Sequence, residues 1–422
     1  MQDGDQLSCG ERNAEWLKKI ESIQEAGYMF VLKEDDSGLR LAGVSANITG
    51  ADWWTHENSA EDLVGNEIAD VFSDDCVGDV ISLIKQHSDV GGSAGDHNAL
   101  VSAKFCPFTG IGDELLCCSV ALSNKGVYLL EVEERRGSQC ACPDEVPGLF
   151  HVAQIMQCFT PKATPEMFTA AVSDSLMKIL PGYDRVMVYR FSVDNSGEVI
   201  HEAIRPGCEV SSSYLNLRFP AGDIPDAARK LLVMNRTRFI ADIHMKGAEL
   251  KVHLDLDSDE KFDLSMSALR APARCHLHYL QNMGVRSSLA AAITVDNELW
   301  GMFSFHGYTR PVNPTIEERT LVEMAASVTG MTLARYTRET TATTSLSLNR
   351  VLAKLTKYIR IQDFLSGEHK ALLDILEADT IVLCEQSRST TVYGNNDFSL
   401  SLAECVGMLH DDRSGRTLSF QG

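Results

Sequence analysis

The sequence predicts an α+β protein of more than one domain, and three observations carry that expectation. Two pairs of β-rich runs are each joined by a short turn signal. RVMVYRFSVDNSGEVIHEAI turns at Asn195-Ser196-Gly197, and SLAAAITVDNELWGMFSFH turns at Asp296-Asn297, so both predict antiparallel hairpins. TPEMFTAAVSDSLMKILPG predicts a helix: Thr164 suits the N-cap, Pro165 the first helical position, and Phe168, Val172, Leu176 and Ile179 recur at three- and four-residue spacing until Pro181-Gly182. Finally, 422 residues exceed what one hydrophobic core holds, which implies about two to four domains.

The elements follow in order. Residues 28–50 read as two strands, YMFVLKE and LRLAGVS, around the turn Asp35-Asp36-Ser37-Gly38. Residues 59–89 are helix-like, and KFCPF, LLCCSVAL and GVYLLEVEE read as further strands. Together they make a first α+β unit of about 100 residues. The loop GSQCACPDEVPG reads as a domain boundary. Residues 205–286, between the two later hairpins, read as mostly irregular or helical, and so long a loop inside a domain points to function. From Pro314 a helical pattern runs through TIEERTLVEMAASVTGMTLARYTRE into LNRVLAKLTKYIRI, with no Pro or Gly between Met331 and Ser366. That predicts a long connecting helix near an interface. HKALLDILEADTIVLCEQSRSTTVYGN reads as the helix and first strands of a third unit, which runs out before a sheet could close.

Composition narrows the classes of function. Net charge is −21, from 59 acidic and 38 basic residues, and such a surface repels phosphate backbones, so no nucleic-acid partner is expected. No run of about 18 apolar residues appears, which predicts no membrane span. The start, MQDGDQLSCGERN, lacks the apolar core of a secretory signal. With 12 cysteines and no such signal, a reducing, cytoplasmic compartment and free thiols are expected. Cys140-Ala-Cys142 and Cys117-Cys118 lack paired CxxC spacing, so no metal is expected.

Two strings inside residues 205–286 carry the most information: RFPAGDIPDAARKLLVMNRTRF and LRAPARCHLHYLQNMGV. With DRVMVYRF, GEVIHEA and LWGMFSFHGYTRP they closely resemble the bilin-binding GAF domain of phytochromes, over about residues 150–340. The unit before resembles a PAS domain and the stretch after it the start of a PHY domain, both more weakly. The resemblance implies tandem PAS and GAF domains, antiparallel sheets with flanking helices, joined by a long helix to a partial PHY domain. The expected division is 1–138, 146–340 and 341–422, with the N-terminal segment threading a loop of the GAF unit. It further implies a red/far-red photoreceptor that binds a linear tetrapyrrole covalently, switches by photoisomerisation and regulates a downstream signalling module, as a homodimer. The region itself would not be an enzyme; a histidine kinase-type output would lie beyond residue 422.

A bilin is a long conjugated ligand with two propionates and protonated ring nitrogens. It needs guanidinium forks for the carboxylates, an acceptor at the ring nitrogens, aromatic walls and a thiol. By resemblance, Arg238 and Arg270 hold the propionates. The Asp223 carbonyl, in the string with Ile224 and Pro225, accepts from the ring nitrogens while its carboxylate meets the tongue of the PHY domain. His276 lies beneath the rings, His306 bonds the outer ring carbonyl, and Tyr189, Phe219, Tyr279 and Ser288 line the pocket. On absorption of light the outer ring rotates, its bonds to His306 and Asp223 exchange, and the tongue refolds. Each residue also has a plainer reading: a helix N-cap for Asp223, surface ion pairs for the arginines, and core packing for the histidines and aromatics.

The thiol has two candidates. Cys275, in Arg274-Cys275-His276, occupies the place where plant and cyanobacterial phytochromes attach phycocyanobilin or phytochromobilin, and it is preferred. Cys9, before IESIQEAG, resembles the N-terminal cysteine with which bacterial and fungal phytochromes attach biliverdin, but Glu25-Ala26 replace the Pro-His of their string. Leu232 stands where the family often has a propionate-binding Tyr, so one hydrogen bond is expected to be absent. The rival readings are a light-independent small-molecule-binding GAF sensor and an enzyme with Cys275 as nucleophile.

Overall fold

The computed structural model describes residues 22–35, 38–51, 53–54, 58–90, 104–106, 116–124, 126–134, 153–158, 164–208, 210, 212–252, 262–384 and 390–394. The chain forms two compact units, Met1–Ala334 and Arg335–Gly422. The first unit opens with β1 (Ser22–Gln24) and the expected hairpin of β2 (Tyr28–Asp35) and β3 (Gly38–Ser45). Three helices follow, α1 (Ala60–Leu63), α2 (Ile68–Val71) and α3 (Asp74–Val90). Ser59 starts the first of them in a capping box with Asp62. Next come β4 (Lys104–Cys106), β5 (Leu116–Asn124) and β6 (Val127–Glu134). The expected boundary loop, residues 137–148, lies outside the described residues, as does Cys9.

Helix α4 (Pro165–Ile179) begins as expected, with the Thr164 side chain accepting from Met167 N and Pro165 in the first turn. Then come β7 (Arg185–Phe191), β8 (Gly197–Ile204), β9 (Arg218–Phe219), α5 (Asp226–Met234), β10 (Thr237–Ile240) and β11 (Gly247–Val252). The unit continues with α6 (Arg274–Asn282), β12 (Ser287–Val295), β13 (Glu298–Gly307) and the start of α7 (Ile316–Leu352). Asp296 and Asn297 take φ 49° and 67°, the doubly left-handed turn that a two-residue hairpin demands.

Among the described residues the first unit holds two antiparallel sheets, ordered β1-β11-β3-β2-β6-β5-β4 and β10-β12-β13-β7-β8-β9. Here the sequence reading needs correcting. Residues 205–286 contain three strands, and one of them crosses over: Leu250 of β11 pairs with Ser45 of β3, and Glu249 with Ser22 of β1. The strand is only 6 residues long, and its pairing partners lie about 200 positions away in a stretch of different pattern, so periodicity alone does not reveal it. One core runs through the unit, joining Met29, Val31 and Leu129 of one sheet with Val186, Phe303 and Phe305 of the other and with Leu321 and Val322 of α7. A second core packs Phe30, Leu41 and Leu130 against Leu63, Val71 and Leu83 of the three early helices. Gly330 lets α7 approach β12 closely, since a Cβ there would run into the Thr294 carbonyl.

In the second unit α7 ends at Leu352, earlier than the helical pattern suggested. A 3-10 turn (Leu355–Lys357) and α8 (Ile361–Leu376) follow, then the hairpin β14 (Thr380–Cys384) and β15 (Thr390–Gly394). The break has a packing cause: Tyr358 leaves the helix to set its ring edge-on to Phe364, with centroids 5.7 Å apart, in a small core with Val351 and Leu372. No helix among the described residues is long and apolar enough to cross a membrane.

Candidate functional site

The six-stranded sheet floors a cavity of about 230 Å³. Strand alternation decides which side chains face it. Ser288 and Ala290 of β12, Met302, Ser304 and His306 of β13, and Met187 and Tyr189 of β7 share the lining, and the ladder sets Ser288 opposite His306 and Ala290 opposite Ser304. Small residues at the centre of this face keep the floor low. Helix α5 adds Ala228, Leu231 and Leu232, and Asn235 follows just past its end, at helical spacing. Helix α6 adds Cys275, His276, Tyr279 and Leu280 from its cavity side. Phe219 and the Asp223-Ile224-Pro225 string close the remaining wall. The string is held from behind by Arg229, whose Nη1 donates to the carbonyls of Ala221 and Ile224.

All of the described candidates therefore line one cavity, although they come from eight separate stretches of chain. Cys275 stands on its wall. Leu232 is buried there and offers no hydroxyl. The N-cap reading of Asp223 is corrected: Pro225 stands at the N-cap of α5 with no side-chain cap bond, and the Asp223 carboxylate instead accepts from Tyr279 Oη at 3.4 Å. Tyr189 packs its ring against Gly197, where any Cβ would collide with it, and lies 6.0 Å from the Phe219 ring. This contact explains why the turn before β8 ends in glycine.

Electrostatically the cavity is unusual for its apolar lining. Arg238 Nη1 donates to Ala268 O at 3.3 Å and Nη2 to Arg270 O at 2.5 Å. Burial, then the Arg270 charge, make the Arg238 cation costly, and Glu131 partly offsets this. Burial also pushes Arg270 down to about 10, against the pull of Asp263. Its Nε and Nη1 are buried without an acceptor. Desolvation, then Arg238, lowers His276 to about 4 although the residue as a whole is exposed on α6; burial, then Arg185 and His276, lowers His306 to about 3. Both rings are thus neutral near pH 7 and each carries one donor and one acceptor nitrogen. Burial, then the Asp223 charge, raises Tyr189 to about 12 and Tyr279 further, so both phenols stay protonated.

Several lining residues escaped the sequence reading, among them Met187, Asn235, Met302, Ser304 and Tyr214. Two of them could have been found: counting back by two from His306 along its strand gives Ser304 and Met302. Tyr214 lies in an irregular stretch and is fixed by the Arg185 guanidinium, 4.0 Å from its ring centre.

Comparison with known proteins converges on one family. The GAF domain family model matches residues 169–333. A bacteriophytochrome of Pseudomonas aeruginosa is 38% identical over 198 residues, 47% of this chain and 26% of the relative. The phytochrome-like protein Cph1 of Synechocystis is 31% identical over 297 residues, 69% of this chain and 36% of the relative. The chain thus spans about a quarter to a third of the length of these relatives. Among solved structures, the chromophore-binding domain of Stigmatella aurantiaca phytochrome P1 superposes with a TM-score of 0.62 at 26% identity, covering 77% of this chain and 99% of that one. A bacteriophytochrome from R. palustris superposes with a TM-score of 0.73 at 25% identity, covering 94% of this chain and 75% of that one. With a GAF domain flooring the cavity and phytochrome likeness running along both units, these similarities support a phytochrome photosensory module.

Proposed function

We propose that the cavity holds a linear tetrapyrrole and that the chain is the light-sensing part of a red/far-red photoreceptor. The observation that carries this reading is Arg270, a buried guanidinium whose Nε and Nη1 have no acceptor inside an apolar cavity that Arg238 also lines. Buried donors without partners are costly, and a ligand bearing two carboxylates would supply the acceptors. When bound, such a ligand supplies a conjugated system that absorbs visible light and a double bond that light can isomerise. Arg238 and Arg270 hold its propionates, and the Asp223 carbonyl accepts from its ring nitrogens. His276 lies beneath the rings and His306 bonds the outer ring carbonyl. Tyr189, Phe219 and Tyr279, with Ile224, Pro225 and Ser288, exclude water from the rings.

Cys275 is the proposed attachment thiol, supported by its place on the cavity wall, and implies phycocyanobilin or phytochromobilin. Attachment of biliverdin through Cys9 is the alternative. The photosensory region is not itself catalytic. A downstream signalling module, a homodimer and a cytoplasmic setting complete the proposal, with divisions at 1–138, 146–340 and 341–422.

The test is to mix the purified chain with phycocyanobilin and read zinc-induced fluorescence on a denaturing gel. Cys275→Ala is expected to abolish the fluorescent band and Cys9→Ala to leave it. The reverse pattern, with biliverdin, would move the attachment to Cys9. A chain that stays colourless with every bilin sinks the proposal and leaves a light-independent small-molecule sensor.

A further inference from the structure

Glu131 belongs to the seven-stranded sheet, not to the sheet that floors the cavity, yet its carboxylate faces the cavity's supports. It is 3% exposed. Its Oε1 accepts from Ser267 Oγ at 2.5 Å and from Leu269 N at 2.9 Å, and its Oε2 from Ala268 N at 3.3 Å and Ser119 Oγ at 3.4 Å. The other side of the same four residues meets the arginines. Arg238 donates to the carbonyls of Ala268 and Arg270, and Arg270 N donates to Ser267 Oγ at 2.9 Å. Strand β1 clamps the stretch at its end, through Gln24 N to Leu269 O at 2.7 Å and Ala271 N to Ser22 O at 3.0 Å. Residues 267–270 are thus a bridge, with a buried acid on one side and both cavity arginines on the other.

Packing alone does not call for a charge at this position. Leu129, Leu130 and Val132 around it are fully buried and apolar, and a buried carboxylate costs free energy unless its partners repay it. Burial pushes the Glu131 carboxyl up, while the bonds from Ser267 and Leu269 hold it down; Glu133 and Arg319 also bear on it with opposite signs. Three donors converging from one short stretch of chain give the acid a fixed geometry and, through it, fix the stretch.

We infer that Glu131 is a positioning residue for the cavity arginines: it pins the 267–270 bridge, and the bridge sets the forks of Arg238 and Arg270 for a ligand with two carboxylates. The inference rests on the proposed bilin reading and deepens it, because it assigns to the neighbouring sheet a share in choosing the ligand. Glu131→Gln keeps the size of the side chain but puts a donor where Ala268 N needs an acceptor. Ser267→Ala leaves the Glu131 charge in place and removes two bonds, the one to Glu131 Oε1 and the one from Arg270 N. Ser119→Ala touches the acid from the opposite side and leaves the bridge intact.

The test titrates the full chain and these variants with biliverdin and with biliverdin dimethyl ester, following the reversible absorption shift before any thioether forms. The wild type is expected to prefer the free acid. Glu131→Gln should cut that preference about tenfold by weakening the acid alone. Ser267→Ala should cut it less, and Ser119→Ala not at all. If Glu131→Gln does not fold, Ser267→Ala carries the test. An unchanged preference in both variants overturns the inference, and so does equal weakening of both ligands, which would be general loosening. A rise in preference overturns it too, since Glu131 would then be a competing counter-charge. A wild type that binds neither pigment refutes the bilin reading itself, a result distinct from these.

Discussion

Arg319 on α7 and Arg270 in the loop before α6 are buried to the same degree, 6% and 7% exposed, but their donors end differently. Arg319 forks onto Glu133 at 2.5 and 2.9 Å, adds the Pro314 carbonyl at 2.8 Å, and lies 4.6 Å from the centre of the Phe239 ring. Arg270 leaves Nε and Nη1 with nothing. The first arginine is satisfied within the chain and ties β6 to α7. The second carries a charge that the chain matches only in part, through Asp263. In one molecule, then, burial of a guanidinium means structure where the fork is filled and recognition where it is open.

The sharpest way to break this contrast is to remove Arg319. Arg319→Met leaves Glu133 buried without its partner, and the expected loss is about 3–5 kcal/mol of unfolding free energy, read by urea denaturation. Pigment colour in whatever fraction stays folded should not change. A loss below about 1 kcal/mol would mean that the pair behaves like a surface ion pair, and the contrast would fall.

His306 falls between the two arginines: it is buried, and its Nδ1 meets Tyr308 Oη at 3.4 Å. It folds with a value lowered to about 3, against about 6.5 when unfolded. Between those values the unfolded chain binds more protons. Its contribution to stability is therefore complete above pH about 6.5 and is lost as pH falls, by about 1.4 kcal/mol per pH unit. His306→Gln should flatten the fall between pH about 6.5 and about 4.5 by one such slope. If wild type and variant run parallel, His306 is not held neutral by burial.

Sequence reading went far where local chemistry dictates structure. The Asp296-Asn297 turn, the Thr164 cap and the strand pairs on either side of Asp35 follow from backbone preferences of the residues themselves. The cavity residues were found because their strings are distinctive, and the strands then bring them together by alternation. What was not legible depends on distant pairing. Strand β11 reads as loop because its partners, Ser22 and Ser45, lie in another part of the chain. Glu131 reads as a polar position in VYLLEVEE, since nothing near it in sequence tells that Ser267 and Leu269 will cover it. The break after Leu352 likewise depends on where Phe364 offers its ring to Tyr358.

The smallest expected effect on stability is also the most telling, and it concerns Arg270. Its backbone is held by bonds that a change of its own side chain does not remove: Arg270 N to Ser267 Oγ, the carbonyl to Arg238, and the bridge to Ile23. Its side chain, by contrast, brings an unmatched charge into an apolar wall, which Asp263 offsets only in part. Arg270→Leu should therefore change unfolding free energy by less than about 1 kcal/mol, or raise it, because the desolvation cost of the open fork disappears with the fork. Arg319→Met, at equal burial, should be worse by several fold. The same Arg270→Leu protein should lose at least about tenfold in affinity for biliverdin while binding the dimethyl ester as before, since only the acid offers the bidentate partner. Unfolding curves and the two titrations on one preparation decide it. A large loss of stability in Arg270→Leu would show that its fork is filled within the chain after all, and the difference between the two arginines would vanish.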